Sequence, residues 1–102
     1  IVSYGPVFKK ARKQNNRVFL EFDHLDEGLV LDNTLKSEFE LAGEDKVYHY
    51  AKVENHGSYL ELFSLNVDNP LFIRYAFSDT SSATLFNSAG LPASSFSYKI
   101  KN

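Results

Sequence analysis

The seven residues Arg17–Asp23 show the pattern that most constrains how this chain can fold. Their apolar side chains occupy alternate positions, so that Val18, Leu20 and Phe22 share one face of an extended strand. Phe19 is the one aromatic exception on the opposite, charged face. No window of ten or more residues carries the 3.6-residue stripe of an amphipathic helix. The sequence therefore predicts an all-β fold with little or no helix.

Short runs of this kind recur along the chain between turn residues, and they predict seven or eight strands. Val7–Lys13 and Arg17–Asp23 are expected to pair across Gln14-Asn15-Asn16, because Asn tolerates the left-handed backbone of a tight hairpin. The charged first arm has the character of an edge strand. The other predicted strands are Leu29–Leu31, Leu35–Ala42, Val47–Val53, Tyr59–Leu65, Leu71–Phe77 and Ser95–Ile100. This spacing predicts one antiparallel β-sandwich or jelly-roll-like domain over residues 1–102.

Composition narrows the classes of function. The 102 residues suffice for one domain with its own core, and an aromatic content of 15% favours β-structure. A net charge of -2 with mixed signs argues against nucleic acid as a partner. No apolar run reaches the ~18 residues of a membrane span, so we expect no membrane partner. The absence of cysteine excludes disulfides and zinc–thiolate sites.

Two histidine neighbourhoods resemble catalytic or metal chemistry superficially. Ser58 follows His56 and Gly57, but neighbouring residues of a hairpin point apart, and a plain turn explains the group better. His24 lies between Asp23 and Asp26, yet a single loop supplies all three, and a solvated loop is the better interpretation. We therefore predict no catalytic residue, no metal site and no cofactor in this chain.

Three tyrosines are the candidates for contact with a ligand. Tyr48 and Tyr50 share one face of their predicted strand, and Tyr59 lies on the strand expected to pair with it across Glu54–Gly57. They could form an aromatic platform that stacks on sugar rings. The alternative is that they cover the edge of the core with their hydroxyl groups in water.

Arg74 lies inside an otherwise apolar predicted strand, where an unpaired guanidinium would be very costly. It is expected to pair with a carboxylate, either in another domain or within this chain, such as Asp79.

Several pieces of the chain, taken in order, resemble the C-terminal region of the sialate O-acetylesterase family, which is specific for 9-O-acetyl groups on sialic acid. Each piece alone is weak, and the resemblance rests on their joint order over nearly the whole chain. Three of their residues, Arg74, Tyr75 and Asn87, are predicted to be interface or structural anchors. The matching pieces are Tyr4–Lys9, Val18–His24, Phe39–Lys46, Ile73–Phe77, Leu85–Asn87 and Gly90–Ser94.

The resemblance implies a role outside catalysis. In that family a Gly-Gln-Ser-type block and an Asp-x-x-His block supply a Ser-His-Asp mechanism in an SGNH-like catalytic domain, and neither block occurs here. The chain is therefore expected to be a piece of a longer, exported bacterial esterase acting on acetylated sialic acid or a related sugar. It would pack on the catalytic domain and be inactive alone. An autonomous carbohydrate-binding module and a purely structural interaction domain remain alternatives.

Overall fold

The computed structural model describes residues 4–32, 38–75 and 83–101, which form ten strands and no helix. This confirms the predicted all-β class, with more strands than expected. No helix in this part of the chain is long and apolar enough to cross a membrane. In chain order the strands are β1 Val7–Gln14, β2 Arg17–Asp23, β3 Leu29–Leu31, β4 Phe39–Ala42, β5 Tyr48–Tyr50, β6 Lys52–Asn55, β7 Tyr59–Phe63, β8 Phe72–Tyr75, β9 Leu85–Asn87 and β10 Phe96–Lys99.

Two antiparallel four-stranded sheets form a sandwich-like arrangement. The first sheet has the order β1-β2-β7-β6 and the second has the order β10-β8-β4-β5. The charged strand β1 is an edge strand, as predicted, and Asn15 turns the chain into β2 with a left-handed φ of 58°. A small two-stranded sheet of β3 and β9 lies beside them, and Leu29 of β3 donates its N–H to Gly57 O in the β6–β7 turn.

The core consists of the inward faces of the two large sheets. Alternation along β2 and β7 buries one side of the first sheet, and alternation along β4 and β8 does the same for the second. Phe8 on β1 stacks on Phe96 on β10 with their ring centroids 4.4 Å apart, which links the two sheets at one edge. The most deeply buried side chains of the two faces are Val18, Leu20, Leu60, Leu62, Phe39, Leu41, Ile73 and Tyr75.

The predicted strand Val47–Val53 is wrong as a single element, because the chain changes sheets at Ala51. Tyr48–Tyr50 pairs with β4 in the second sheet, whereas Lys52–Asn55 pairs with β7 in the first. Ala51 is buried at the crossing and donates its N–H to Phe39 O. Only the second half of this run therefore forms the predicted hairpin with Tyr59.

The other seven predicted strands are all present: β2 and β3 have the predicted bounds, β1 extends one residue further, to Gln14, and the remaining four are shorter. β9 is an additional strand in a stretch without a strand prediction. The strand predicted over Leu35–Ala42 is observed as Phe39–Ala42, and the one over Leu71–Phe77 is observed as Phe72–Tyr75. The remaining ends of both predictions, residues 35–37 and 76–77, lie outside the described residues, as does Asp79.

Candidate functional site

The predicted site residues lie in four parts of the domain. Tyr48, Tyr50 and Arg74 are on the outer face of the second sheet, and Tyr75 is on its inner face. Tyr59 is on the outer face of the first sheet, and Asn87 is in the small sheet. The structure therefore does not bring the three tyrosines together as the platform predicted from a single hairpin.

Arg74 is held on the outer face of the second sheet by two neighbouring strands. Its Nε donates a 2.7 Å hydrogen bond to Glu40 Oε1 on β4, and its guanidinium lies 4.0 Å from the centroid of the Tyr48 ring on β5. The hydrogen bond to Glu40 raises the pKa of Arg74 above its ordinary value. The side chain is 44% exposed, so the expectation of a buried guanidinium was wrong. Its internal carboxylate partner is Glu40.

The rest of this outer face combines aromatic and basic side chains. Tyr50, which is 49% exposed, lies directly opposite Glu40 in the pairing of β5 with β4. Phe72 on β8 has two ammonium groups near its ring, with Lys46 Nζ at 5.6 Å and Lys99 Nζ at 6.0 Å from its centroid. This face therefore carries a row of cation–aromatic contacts.

Tyr59 belongs to a different aromatic cluster, on the outer face of the first sheet. Its ring lies 6.2 Å from that of Phe19 on β2 and stacks on His56 at 4.6 Å with an interplanar angle of 18°. The Arg12 guanidinium of β1 lies 4.5 Å from the centroid of Phe19. Phe19, the aromatic exception in the sequence pattern, is thus in the middle of an aromatic ladder of the side chains Arg12, Phe19, Tyr59 and His56, which crosses β1, β2 and β7 and ends in the β6–β7 turn. Sequence reasoning did not associate it with Tyr59, although its place on a charged face was a visible signal.

A charged cluster lies next to this ladder on the β6–β7 hairpin. The carboxylate and imidazole atoms of Glu54, His56 and Glu61 that could bind a metal ion lie within 4.8 Å of one another. Arg17 Nη1 donates hydrogen bonds to Glu54 Oε1 at 3.1 Å and to Glu61 Oε2 at 3.0 Å, and His56 Nε2 lies 2.9 Å from Glu61 Oε1. A metal ion would have to displace a guanidinium that is bonded to both carboxylates. The cluster is therefore best described as a surface ion-pair network.

Asn87 is a buried polar junction between distant parts of the chain. Its side-chain Nδ2 donates to Tyr4 O at 2.8 Å and to His24 O at 3.0 Å. Its Oδ1 accepts hydrogen bonds from the backbone N–H groups of Ala89 and Leu91. All four hydrogen-bonding positions of the amide are used, which stabilises a fixed geometry in the core. Asn87 therefore joins three distant segments of the chain through the hydrogen bonds of one side chain.

The loop beside Asn87 carries two residues in unusual backbone conformations. His24 and Asp26 have φ values of 64° and 59°, in the left-handed backbone region that residues other than Gly rarely adopt. Asp26 Oδ2 accepts a 2.7 Å hydrogen bond from the Ser88 hydroxyl, and that hydroxyl oxygen accepts one from Glu27 N–H. The His24 ring instead lies against Tyr4, with centroids 5.3 Å apart. We call the end of the domain formed by Tyr4, His24, Asp26, Asn87 and Ser88 the Asn87 end.

Tyr75 is fully buried, and both its ring and its hydroxyl group make contacts in the core. Its ring stacks on Phe39 at 4.5 Å, and its hydroxyl oxygen accepts hydrogen bonds from the N–H groups of Thr84 and Leu85 at 3.1 and 3.2 Å. The hydroxyl therefore fixes the backbone at the start of β9. Like Asn87, it orders an element that the sequence pattern did not define.

A cavity of about 330 Å³ lies beside the turn that precedes β5. Its walls carry the acidic side chains of Glu44, Asp45 and Asp68, with His49 and Asn69 nearby. Asp45 uses one carboxylate oxygen to accept the N–H of Val47, so it also shapes the turn before β5. Neither phenylalanine nor tyrosine is among the residues that line this cavity.

Nucleophilic catalysis would require a serine hydroxyl that is hydrogen-bonded to a base. In the part of the chain that the structure describes, no serine hydroxyl is bonded to a histidine. Ser88 is bonded to Asp26, and Ser64 accepts the N–H of Asn66. Ser58 lies in the bend between β6 and β7, in agreement with the turn interpretation. Residues 4–32, 38–75 and 83–101 therefore contain no hydrogen-bonded serine–histidine pair.

Comparison with known proteins identifies a similar domain among solved structures. No family model matches the chain, and no curated protein matches it. The crystal structure of XAC1771, described as a novel carbohydrate acetylesterase from Xanthomonas citri, aligns with a TM-score of 0.84 and 29% sequence identity. The alignment covers 97% of this chain and 23% of that chain. The chain therefore spans about a quarter of the length of the enzyme that it matches, and it is an esterase-related β-domain.

Proposed function

We propose that this chain is the non-catalytic β-domain of a carbohydrate acetylesterase and that it packs against a catalytic domain of the same polypeptide. The observation that carries this proposal is the alignment of 97% of the chain with only 23% of the Xanthomonas citri enzyme. A unit of this size, without a serine–histidine pair in its described part, fits a domain that supports catalysis performed elsewhere.

The parent enzyme would remove O-acetyl groups from sialic acid or a related acetylated sugar, as in sialate O-acetylesterases. Support comes from the order of the matching pieces along the sequence and from the acetylesterase relative. Its SGNH-like catalytic domain would supply the Ser-His-Asp groups for attack on the ester carbonyl. The parent would be an exported bacterial protein.

The Asn87 end is the surface by which we propose that the domain docks on the catalytic domain. Pieces of the sequence resemblance from three distant parts of the chain meet here, at Tyr4, His24 and Asn87. Tyr4 is 65% exposed although its ring lies against that of His24. An ordered, exposed aromatic side chain of this kind is typical of interface anchors.

Acetyl release by the purified 102-residue chain tests the first part of the proposal. With p-nitrophenyl acetate or O-acetylated sialic acid we expect no turnover above that of the His24→Ala and His56→Ala variants. Turnover that depended on either histidine would overturn the assignment of a non-catalytic domain. An antibody raised against the chain should also detect a native polypeptide several times larger than 11.6 kDa.

Docking is tested in that longer polypeptide. Tyr4→Ala should reduce acetyl release and make this domain unfold separately from the catalytic domain in a calorimetric scan. Tyr50→Ala, an exposed tyrosine on the second sheet, is the matched control and should leave both unchanged. Equal effects of the two variants would contradict docking at the Asn87 end.

A further inference from the structure

A small pocket lies on the outer face of the first sheet. Its volume is about 180 Å³, and it is lined by Arg12, Phe19, Glu21, Ser58 and Tyr59. Pockets that enclose drug-sized ligands have volumes of roughly 300–1,000 Å³, so this one suits a single ring of a larger molecule. We call it the Phe19–Tyr59 pocket.

Two aromatic rings give this pocket an apolar floor. Phe19 and Tyr59 project from neighbouring strands of the sheet, with their rings 6.2 Å apart and inclined by 52°. The Arg12 guanidinium lies over Phe19 and the His56 ring stacks on Tyr59, and these contacts hold the two rings in place. Aromatic side chains that point away from the core and are held in place offer a stacking surface for the apolar face of a ligand ring.

Polar side chains line the pocket beside the two rings. The side chains of Arg12, Ser58 and Tyr59 make no hydrogen bond to another described residue, so their donors and acceptors are available. Glu21 adds a carboxylate, with Lys10 Nζ 3.7 Å from one of its oxygens. Donors and acceptors of both kinds around an aromatic floor match a ring that carries several hydroxyl groups.

The charge of this face indicates a neutral ligand. Three basic and three acidic side chains lie around the ladder, and their charges cancel. The six are Lys10, Arg12 and Arg17, and Glu21, Glu54 and Glu61. A site for a phosphate or a carboxylate would present an excess of basic groups.

A second cavity extends the pocket along the surface. It has a volume of about 310 Å³, is lined in part by Asp26, Glu27 and His56, and shares Ser58 with the Phe19–Tyr59 pocket. A ligand chain that places one ring on Phe19 and Tyr59 can therefore continue past Ser58 towards the acidic side chains, which accept hydrogen bonds from hydroxyl groups.

We propose that the Phe19–Tyr59 pocket is a binding site for one pyranose ring of a neutral oligosaccharide. The apolar face of the ring stacks on Phe19 and Tyr59, while Arg12, Glu21 and Ser58 bond its hydroxyl groups. The choice of a carbohydrate rests partly on the proposed function, and the site itself rests on the geometry of the first sheet. The site would hold an acetylated polysaccharide near a catalytic domain and takes no part in breaking the ester bond.

NMR titration of the isotopically labelled chain tests this site. The probes are cello-, xylo-, manno- and malto-oligosaccharides, with sialyllactose as the acidic comparison, at up to about 10 mM, which detects a millimolar Kd. At least one neutral probe should shift the amide signals of Phe19, Ser58 and Tyr59. Phe19→Leu and Tyr59→Leu keep an apolar side chain but lose the ring, and each should weaken that Kd by about tenfold, or 1.4 kcal/mol.

Tyr50→Leu is the matched control on the second sheet and should leave the Kd unchanged. The spectra of all variants verify that each is folded before its affinity is compared. The proposal is overturned if no neutral probe shifts the signals, if the shifts map to Tyr48 and Tyr50, or if sialyllactose binds more tightly than every neutral probe. Because these titrations do not measure acetyl release, their failure would leave the proposed function standing, and turnover by the isolated chain would leave this site standing.

Discussion

The side-chain amide of Asn87 donates a 2.8 Å hydrogen bond to the carbonyl oxygen of Tyr4, 83 residues earlier in the chain. The same amide nitrogen reaches His24 O, so one side chain joins the start of the chain, the loop after β2 and the small sheet. The exposed ring of Tyr4 depends on this junction for its position. The stability of the domain and the shape of the proposed docking surface are therefore linked through Asn87.

Asn87→Ala should destabilise the domain by about 3 kcal/mol, because it leaves backbone donors and acceptors without partners in a buried site. A domain of this size should then lose more than about 10 °C in Tm. Urea and thermal unfolding followed by circular dichroism would measure the change. Asn66→Ala, at an exposed asparagine, is the control and should change stability by less than about 0.5 kcal/mol. Equal losses in the two variants would show that Asn87 has no special structural role.

Gly5 provides an independent test of the same end of the domain. A Cβ atom at this position would lie 1.8 Å from the carbonyl oxygen of Pro92, which belongs to the backbone and cannot rotate away. Gly5→Ala should therefore cost at least about 2 kcal/mol, since the two segments must separate. At Gly43 the corresponding atom would be 3.4 Å from its nearest neighbour, so Gly43→Ala should be tolerated. Comparison of urea midpoints of the two variants would check this, and a stable Gly5→Ala variant would contradict the close approach.

The local pattern of the sequence predicted β2 and the first hairpin well, because both depend on interactions within a few residues. Alternation fixes which side chains of Arg17–Asp23 face the core, and Asn15 fixes the turn. Alternation does not say which sheet a strand joins. Tyr48–Tyr50 and Lys52–Asn55 continue the same pattern, yet Ala51 passes between the sheets. That change depends on pairing with β4 and β7, which are distant in sequence.

The neighbours of Phe19 and Asn87 could not be predicted from the sequence, because they too depend on pairing between distant segments. Phe19 stood out as an aromatic residue on a charged face, but its neighbours Arg12 and Tyr59 follow from the registers of β1 and β7 against β2. A shift of one residue would have turned either side chain towards the core. Asn87 was selected through the family resemblance, and its partners, including Tyr4, are set by tertiary contacts that no short motif contains.

Tyr75→Phe tests whether the buried hydroxyl orders the segment before β9. The change preserves the stacking on Phe39 and removes the acceptor shared by Thr84 N–H and Leu85 N–H. We expect a loss of about 1–3 kcal/mol and faster hydrogen exchange at these two amides, because they become unpaired in a buried site. Tyr98→Phe, a partly buried tyrosine on β10, is the control and should lose less than about 0.5 kcal/mol. Unchanged exchange at Thr84 and Leu85 would exclude this role for Tyr75.

Arg74→Ala should have only a modest effect on the isolated chain, about 1 kcal/mol, because the pair with Glu40 and the contact with Tyr48 lie on an exposed face. A double-mutant cycle with Glu40→Ala should give a coupling of about 0.5 kcal/mol that decreases in 1 M salt. Since the hydrogen bond with Glu40 raises the pKa of Arg74, its contribution is complete below the ordinary arginine pKa and is lost only as pH rises through the higher folded-state value. The coupling should therefore not decline between about pH 7 and pH 10, where arginine stays charged. Urea unfolding across that range measures it, and a loss above about 3 kcal/mol for Arg74→Ala alone would mean that the residue is a core anchor.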